Sequence, residues 1–348
     1  MGKKRLAVIF GGNSTEYGVS LQSAFSVLEN VNQEKYEVIP IGITRQGSWY
    51  RYGGAYGKIP DDTWMRDEKN LTPVVVHQNP AVHGILELSV WENRVTQLDL
   101  AFPVLHGKNG EDGTVQGLLE LAGIPIVGCG VLASALCMDK DRAHRLAGAA
   151  GISVPKAVVL QKHQKCRAVV LPEDFTYPLF VKPVRAGSSC GIAKIYGEGE
   201  LDAAVSAAFC HDDEVIVEEN VDGFEVGCAI LGMDVLTVGR VDEIELTGGF
   251  FDFTEKYALK HSRIHMPARI DAKTEQKIQE TAKNIYQVLG CSGFARVDMF
   301  LTPSGDVVFN EVNTIPGFTA HSRYPNMMKG IGLSFEQLLE RLLDMYDE

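Results

Sequence analysis

Phe294-Ala-Arg-Val-Asp-Met-Phe-Leu301 and Asp306-Val-Val-Phe-Asn-Glu-Val-Asn313 are two β-like runs joined by a short Pro- and Gly-containing turn. Residues two apart on a strand share a face, so Arg296 lies with Asp298, and Glu311 with Asn313. A four-residue turn, Pro303 to Asp306, predicts a hairpin with Asp298 opposite Glu311 and Arg296 opposite Asn313. Ala295, Val297, Met299, Phe309 and Val312 form the other, apolar face. Two directly opposed acids cost stability unless a cation lies between them. Two carboxylates and an amide carbonyl are hard oxygen ligands, suited to a Mg²⁺ ion that shares phosphate oxygens. The plainer reading is a solvated polar face on which Arg296 neutralises the acids.

A second chemical feature precedes the hairpin. Phe180-Val-Lys-Pro-Val-Arg-Ala-Gly-Ser-Ser-Cys-Gly191 places a loop of glycines and serines between two strands. Its backbone N–H groups and hydroxyls can wrap phosphates, or the loop is only a hairpin tip. Lys182, inside the apolar strand, needs an anion or a carboxylate as partner. No Gly-Lys-Ser/Thr leads into a helix, so this is not a Walker loop. At the N-terminus, Ile9-Phe-Gly-Gly-Asn-Ser-Thr-Glu16 lacks GxGxxG spacing. Glu16 there suits an ammonium group better than a pyrophosphate, although a plain turn explains the glycine pair equally.

Around these features the chain is ordinary in composition. Its 348 residues are 45% hydrophobic and 22% charged, which argues against disorder. The 33 basic and 45 acidic residues give −12, and Lys3-Lys4-Arg5 is the only basic run, which argues against nucleic acid as a partner. The 35 glycines are an excess, and those at 11–12, 107–117, 187–191 and 317 fall in loops where backbone can approach small, charged groups. Seven cysteines (129, 137, 166, 190, 210, 228 and 291) show no CxxC pair, as expected of reduced thiols in a cytoplasmic protein. Leu121–Met138 carries no charge, but Pro125 and three glycines break it, so no membrane insertion is expected. His261 and His265 have HxxxH spacing without a third ligand, and chance accounts for it better than zinc does.

The element pattern indicates three units. Strands near 5–10, 37–43, 71–76, 98–105 and 124–127 alternate with helices near 19–28 and 113–122, predicting an N-terminal parallel α/β domain over 1–138. Residues 45–69 read as a long excursion from that sheet. A small antiparallel unit spans 139–219, and a C-terminal unit spans 220–348, with a polar loop at 247–269 and helices at 272–289 and 334–346.

Taken together, the motifs resemble the ATP-grasp superfamily, and within it the D-alanine–D-alanine ligase family. Those motifs are Phe10-Gly-Gly-Asn-Ser-Thr-Glu16, His106-Gly-Lys-Asn-Gly-Glu-Asp-Gly-Thr-Val-Gln-Gly117, Met138-Asp-Lys140, Lys182-Pro-Val-Arg-Ala-Gly-Ser-Ser189, Glu255-Lys-Tyr257, Arg296-Val-Asp298 and Asn310-Glu-Val-Asn-Thr-Ile-Pro-Gly-Phe318. The resemblance implies a three-domain ATP-grasp fold, mixing α/β and α+β, with ATP between the central and C-terminal domains and a homodimer as the assembly. It implies that Lys140, Lys182, Ser188, Ser189 and Lys256 meet the phosphates. Glu218, Glu219 and Val221 would border adenine, and Glu225 the ribose. Asp298, Glu311 and Asn313 would hold magnesium, or manganese in its place. The implied reaction phosphorylates a D-alanine carboxylate, and a second D-amino acid's amine then attacks the acyl phosphate. Glu16, linked through Ser188 to Tyr257, would orient the first ammonium group. Arg296 and the Gly317 N–H would hold the oxyanion, and His106 would manage the amine proton or make a structural hydrogen bond.

Two departures from the housekeeping ligases bear on the second substrate. Ser322 is followed by Arg323 where an apolar residue is usual, and Arg-Ala-Gly-Ser-Ser stands where Arg-Glu-Gly-Ser-Ser is common. Both resemble vancomycin-resistance ligases, and the intact Glu255-Lys256-Tyr257 points to an amine nucleophile rather than D-lactate. The expectation is a D-alanine–D-serine ligase of the G type, with a D-alanine–D-alanine ligase as the alternative. Arg323 would bond the D-serine hydroxyl directly or position a neighbour that does, unless it simply pairs with an acid. An NAD-dependent oxidoreductase lacks its fingerprint here, and a non-catalytic nucleotide-binding protein would have lost site residues.

Overall fold

A computed structural model describes residues 2–89, 92–164, 171–187, 190–246 and 262–346. Among these residues sixteen strands form three sheets, with eight α-helices around them.

The first sheet is built on β1 (Lys4–Gly11), β2 (Tyr36–Ile43) and β7 (Leu100–Pro103), with β1 parallel to both neighbours. Side chains alternate along β1. Leu6, Val8 and Phe10 pack with α1 (Tyr17–Asn30), whereas Ala7 and Ile9 face α2 (Thr114–Leu121). Only this centre is parallel, which corrects the parallel sheet expected for the whole unit. β3 (Trp49–Tyr52), β4 (Leu71–Val76), β5 (Gly84–Glu87) and β6 (Arg94–Gln97) add to the edge as antiparallel strands. Within 45–69 only Trp49–Tyr52 returns to the sheet, as β3; residues 53–69 run outside it through three short 3₁₀ turns, so the excursion is shorter than expected. For three of the four links the reason for antiparallel pairing is connection length. A parallel pair needs a crossover such as α1, and the links 44–48, 77–83 and 88–93 allow only antiparallel pairing, whereas 53–70 is long enough for either. Near 124–127 the expected strand reduces to one bridge, Ala101 to Ile126. Pro125 has no N–H to donate, though its carbonyl accepts from Ala101 at 2.9 Å.

The second sheet is antiparallel, in the order β10 (Ala193–Ile195), β9 (Leu179–Pro183), β11 (Glu214–Glu219), β8 (Ala157–Gln161). Its apolar face packs on α5 (Glu198–Ala208) through Leu201 and Val205.

The third sheet runs β14 (Ser262–His265), β13 (Thr237–Leu246), β12 (Phe224–Leu231), β15 (Phe294–Leu301), β16 (Val307–Asn313). Val297, Met299, Phe309 and Val312 bury against Ile278, Ala282 and Ile285 of α6 (Ala272–Val288). The same core receives Ala133 of α3 (Val131–Met138) and Ala143 and Ala147 of α4 (Lys140–Ala149). On the opposite side of the chain's core, Phe102 of the first sheet meets Phe294 and Phe318 edge-on, each at 5.8 Å between centroids. That aromatic contact joins the first sheet to the third. Two helices close the chain: α7 (Arg323–Lys329), which the sequence pattern did not reveal, and α8 (Phe335–Asp344). Ser334 and Gln337 form a capping box at the start of α8.

Candidate active site

The hairpin has the expected pairs, Asp298 with Glu311 and Arg296 with Asn313. It reaches them by a different route. The turn is tighter than expected, with Thr302 N–H donating to the Asp306 carbonyl at 2.9 Å and Leu301 opposite Val307. The register then shifts at Asn310, an extra residue in β16. This β-bulge explains how Phe309 and Val312, three apart, share the apolar face. It also turns Asn310 and Glu311 together toward one pocket.

Asp298 is buried at the centre of the polar face. Arg296 donates to it from Nε at 2.8 Å and from Nη2 at 2.6 Å, and Asn313 donates at 2.9 Å. The neutralising arginine of the plainer reading is thus present. The donor set still fits a hard divalent cation, because two carboxylates stand opposed in register beside an amide. Among the described residues no three His, Cys, Asp or Glu side chains are placed to hold a metal ion by themselves. An ion here would therefore draw its remaining oxygens from water and phosphate, as magnesium ordinarily does.

After β16 the chain runs through Thr314–Thr319, and three side chains of the first unit grip it. Glu111 accepts from Ile315 N–H and from Gly107 N–H, both at 2.8 Å. His106 Nδ1 lies 2.7 Å from the Ile315 carbonyl, which cannot donate, so Nδ1 carries the hydrogen. Its Nε2 then accepts from Ser23 Oγ at 3.1 Å, and Ser23 accepts from Phe318 N–H at 3.1 Å. Burial lowers the His106 pKa, in keeping with a neutral ring. Burial, reinforced by Glu16, pushes the Glu111 carboxyl up to about 8. Both His106 nitrogens are occupied, which favours the structural hydrogen bond over proton transfer. These bonds fix the loop that carries Gly317. A Cβ at Gly317 would come within 3.1 Å of Ser322 Oγ, so the loop lies flat on the start of α7.

Glu16 precedes α1, and its carboxylate is wedged between two glycines. A Cβ at Gly107 would approach its Oε2 to 2.5 Å, and one at Gly187 to 2.8 Å. The first glycine comes from the His106 motif and the second from the loop after β9, so Glu16 marks where those units meet.

Two clefts share this region. One, of about 640 Å³, is lined by Glu16, His106, Arg296, Gly317, Ser322 and Arg323 among others. The other, of about 430 Å³, is lined by Phe180, Lys182, Glu218, Glu219, Val221 and Glu225 among others. Lys140, Ala186 and Glu311 line both, which makes them the seam between the clefts. Lys140 Nζ donates to the Ala186 carbonyl at 2.8 Å. Lys182 has the carboxylate partner its strand required, donating to Glu218 at 2.6 Å. Burial drives the Glu218 pKa up, but Lys182, His144 and Lys140 outweigh it and leave the pKa below its ordinary value. Glu219 accepts from Lys156 N–H at 2.9 Å, and so braces β8 against β11.

Arg323 is buried among acids. It donates to Asp242 from Nε at 2.7 Å and from Nη2 at 2.8 Å, and to Glu225 from Nη1 at 3.0 Å. Asp298 Oδ1 lies 3.4 Å from its Nη2. Gly227 is the floor of this pair, since a Cβ there would meet the Arg323 guanidinium, with Asp242 at 2.7 Å. Ser188, Ser189, Lys256 and Tyr257 lie outside the described residues, as does His261; His265 pairs with Glu245 at 2.7 Å. Sequence reasoning missed Ser23, Asp242 and His144. Glu111 lies within the His106 motif, whose spacing assigns it no role. Their partners lie far away in sequence, so spacing carried no signal.

The comparisons with known proteins bear on the whole of this arrangement. The family models for the D-ala D-ala ligase N-terminus and C-terminus match residues 5–129 and 146–344. The chain belongs to the D-alanine–D-alanine ligase family. It is accordingly an ATP-dependent ligase that forms a peptide bond between D-amino acids. Among relatives of the ligase, the vancomycin C-type resistance protein VanC1 of Enterococcus gallinarum is 44% identical, over 99% of both chains. A D-alanine–D-alanine ligase of Caldicellulosiruptor bescii is 40% identical over 99% of this chain and 95% of its own. The crystal structure of the VanG D-Ala:D-Ser ligase from Enterococcus faecalis is 64% identical, with a TM-score of 0.91 over 99% of this chain and 100% of that one. Among the described residues of the ligase, no helix is long and apolar enough to cross a membrane.

Proposed function

We propose that this ligase joins D-alanine to D-serine through a D-alanyl phosphate, making an altered peptidoglycan precursor that supports vancomycin resistance. The observation that carries the choice of D-serine is the 64% sequence identity, over the full length, to a D-Ala:D-Ser ligase structure. Arg323, on the wall of the larger cleft, supports it. The larger cleft takes the two amino acids and the smaller one takes ATP, with Lys140 and Glu311 at the point of phosphoryl transfer.

Glu16 holds the first ammonium group at the α1 end of the cleft. Lys140 and Lys182 balance the nucleotide's charge, and the family resemblance implies the same of Ser188, Ser189 and Lys256. Glu219, Val221 and Glu225 border the base and sugar. Asp298, Glu311 and Asn313 would hold magnesium, which when bound offsets phosphate charge during transfer. Arg296 and the Gly317 N–H stabilise the oxyanion formed when the amine attacks; losing one such donor typically costs about 10²–10³ in rate. That N–H needs no reorganisation, because Glu111, His106 and Ser23 already fix its loop. For Tyr257 the role that the family resemblance implies is linkage through Ser188 to Glu16. Cytoplasmic location and a homodimer belong to the same reading.

With all three guanidinium nitrogens turned to acids, Arg323 acts on D-serine by positioning Asp242 and Glu225 and the water around them. Because Arg323 is already paired with Asp242 and Glu225, a substrate lacking the hydroxyl leaves it with partners, and D-alanine is rejected only weakly. The alternative therefore stays specific: a D-alanine–D-alanine ligase with the same machinery. Competing D-alanine, D-serine and D-lactate against one another, with D-alanine and ATP supplied, separates the readings. D-alanyl-D-serine should predominate, with some D-alanyl-D-alanine. Predominant alanyl-alanine product across physiological pH would overturn the choice of D-serine and leave the ligase reading intact.

A further inference from the structure

One buried pair in the smaller cleft's wall is incomplete. His144 sits one turn after Lys140 on α4 and is 5% exposed. Its Nε2 lies 2.7 Å from the Asn310 carbonyl, at the β16 bulge, so Nε2 carries a hydrogen and donates it. The opposite nitrogen, Nδ1, faces Glu218 Oε1 at 3.6 Å. Among the described residues neither of those two buried atoms has a hydrogen-bond partner. Two acceptors so placed repel unless a hydrogen lies between them, and an unpaired buried acceptor costs a full desolvation penalty. The other groups around the ring are accounted for. Phe309 meets it edge-on at 5.3 Å, Lys182 holds the other Glu218 oxygen, and Lys140 is committed to Ala186.

We propose that His144 is a positioning residue that joins the two ends of the nucleotide site. Through Nε2–H it fixes the bulge carbonyl beside Glu311, at the phosphate end. Through a hydrogen on Nδ1 it completes Glu218, at the base end. With Nε2–H already committed, that second hydrogen makes the ring an imidazolium, a third cation beside a carboxylate that Lys182 engages on one oxygen only. The proposal rests on the assignment of the smaller cleft to ATP.

The two contacts can be removed separately, because a Gln side chain reproduces the reach of Nε2 and an Asn that of Nδ1. His144→Phe, which keeps the ring and its contact with Phe309, should lose both. In the full-length protein, calorimetry of ADP with Mg²⁺ should then show affinity weakened about tenfold, the loss expected for a buried hydrogen bond. The KM for ATP should rise with it, while the KM for the first D-alanine stays unchanged. His144→Gln should retain the gain in ADP affinity that Mg²⁺ provides, but bind adenosine more weakly. His144→Asn should show the reverse. Wild-type ADP affinity in a folded His144→Phe protein, or equal losses for ADP and D-alanine, would overturn the role. If the Phe variant does not fold, the Gln and Asn variants decide: identical behaviour toward adenosine and Mg–ADP would overturn it. Wild-type protein that fails to bind ADP at all would refute the assignment of the cleft itself.

Discussion

At the residue scale, burial decides what the acids of the site do. Asp298 and Glu111 are both carboxylates beside the same loop, yet they meet different partners. Asp298 faces two guanidinium groups, whereas Glu111 faces two backbone N–H groups and the nearby charge of Glu16. The Glu111 pKa moves from 4.5 in a free side chain to about 8, so the folded chain binds this proton more tightly than the unfolded one. Its contribution to stability is therefore complete below about pH 4.5 and is lost as pH rises through about 8. The depressed His106 works in the opposite sense, but only below its ordinary pKa of 6.5. Thermal melts between about pH 7 and 9 isolate Glu111. Wild type should lose stability across that interval more steeply than Glu111→Gln. Parallel slopes for the two proteins would show that the carboxyl does not titrate there. The sequence contained Glu111 in plain view, but a pKa depends on neighbours that folding supplies.

At the scale of elements, the hairpin was the most legible part of the chain. Period-two alternation dictates which residues share a face, and this led to the pairing of Asp298 with Glu311. The turn length inferred from the sequence was wrong by one residue, and the bulge at Asn310 makes up the difference. A bulge is invisible to alternation because one extra residue simply restores the pattern on the far side. The loop that follows stands out in the sequence as a motif, but its rigidity comes from α1 and the His106 segment. Ser23 is the clearest test of that dependence. Ser23→Ala leaves the Phe318 N–H and His106 Nε2 without their shared partner. We expect kcat to fall about tenfold, the typical effect of one lost buried bond, with ADP affinity unchanged. Steady-state kinetics alongside calorimetry would measure both, and a matching loss of ADP affinity would mean that the loop is not the element affected.

At the scale of the molecule, the site exists because three sheets meet. Glu16 and His106 come from the segments that follow β1 and β7 of the first, Lys182 and Glu218 from the second, and Arg296, Asp298 and Glu311 from the third. Contacts distant from the chemistry hold that meeting in place. Tyr346, just after α8, accepts from Gly128 N–H at 2.9 Å, and a Cβ on Gly293 would come within 2.5 Å of its hydroxyl oxygen. The end of the chain thus fastens the loop before α3 to the loop before β15. Tyr346→Phe should destabilise the protein by about 1 kcal/mol in chemical denaturation, while both clefts keep their ligands. An unchanged midpoint would show that the clasp carries no net stability. The sequence by itself determined the polar face of the hairpin, the glycine-bearing motifs and the family to which they belong. Those follow from periodicity and local residue order, which are properties of neighbours along the chain. Only the tertiary structure decided that Lys182 engages Glu218, that Arg323 lies among Asp242, Glu225 and Asp298, and that His106 is a strut. Each of those outcomes depends on which charges and hydrogen-bonding groups are brought together out of water, and that is fixed by packing between units rather than by spacing within them.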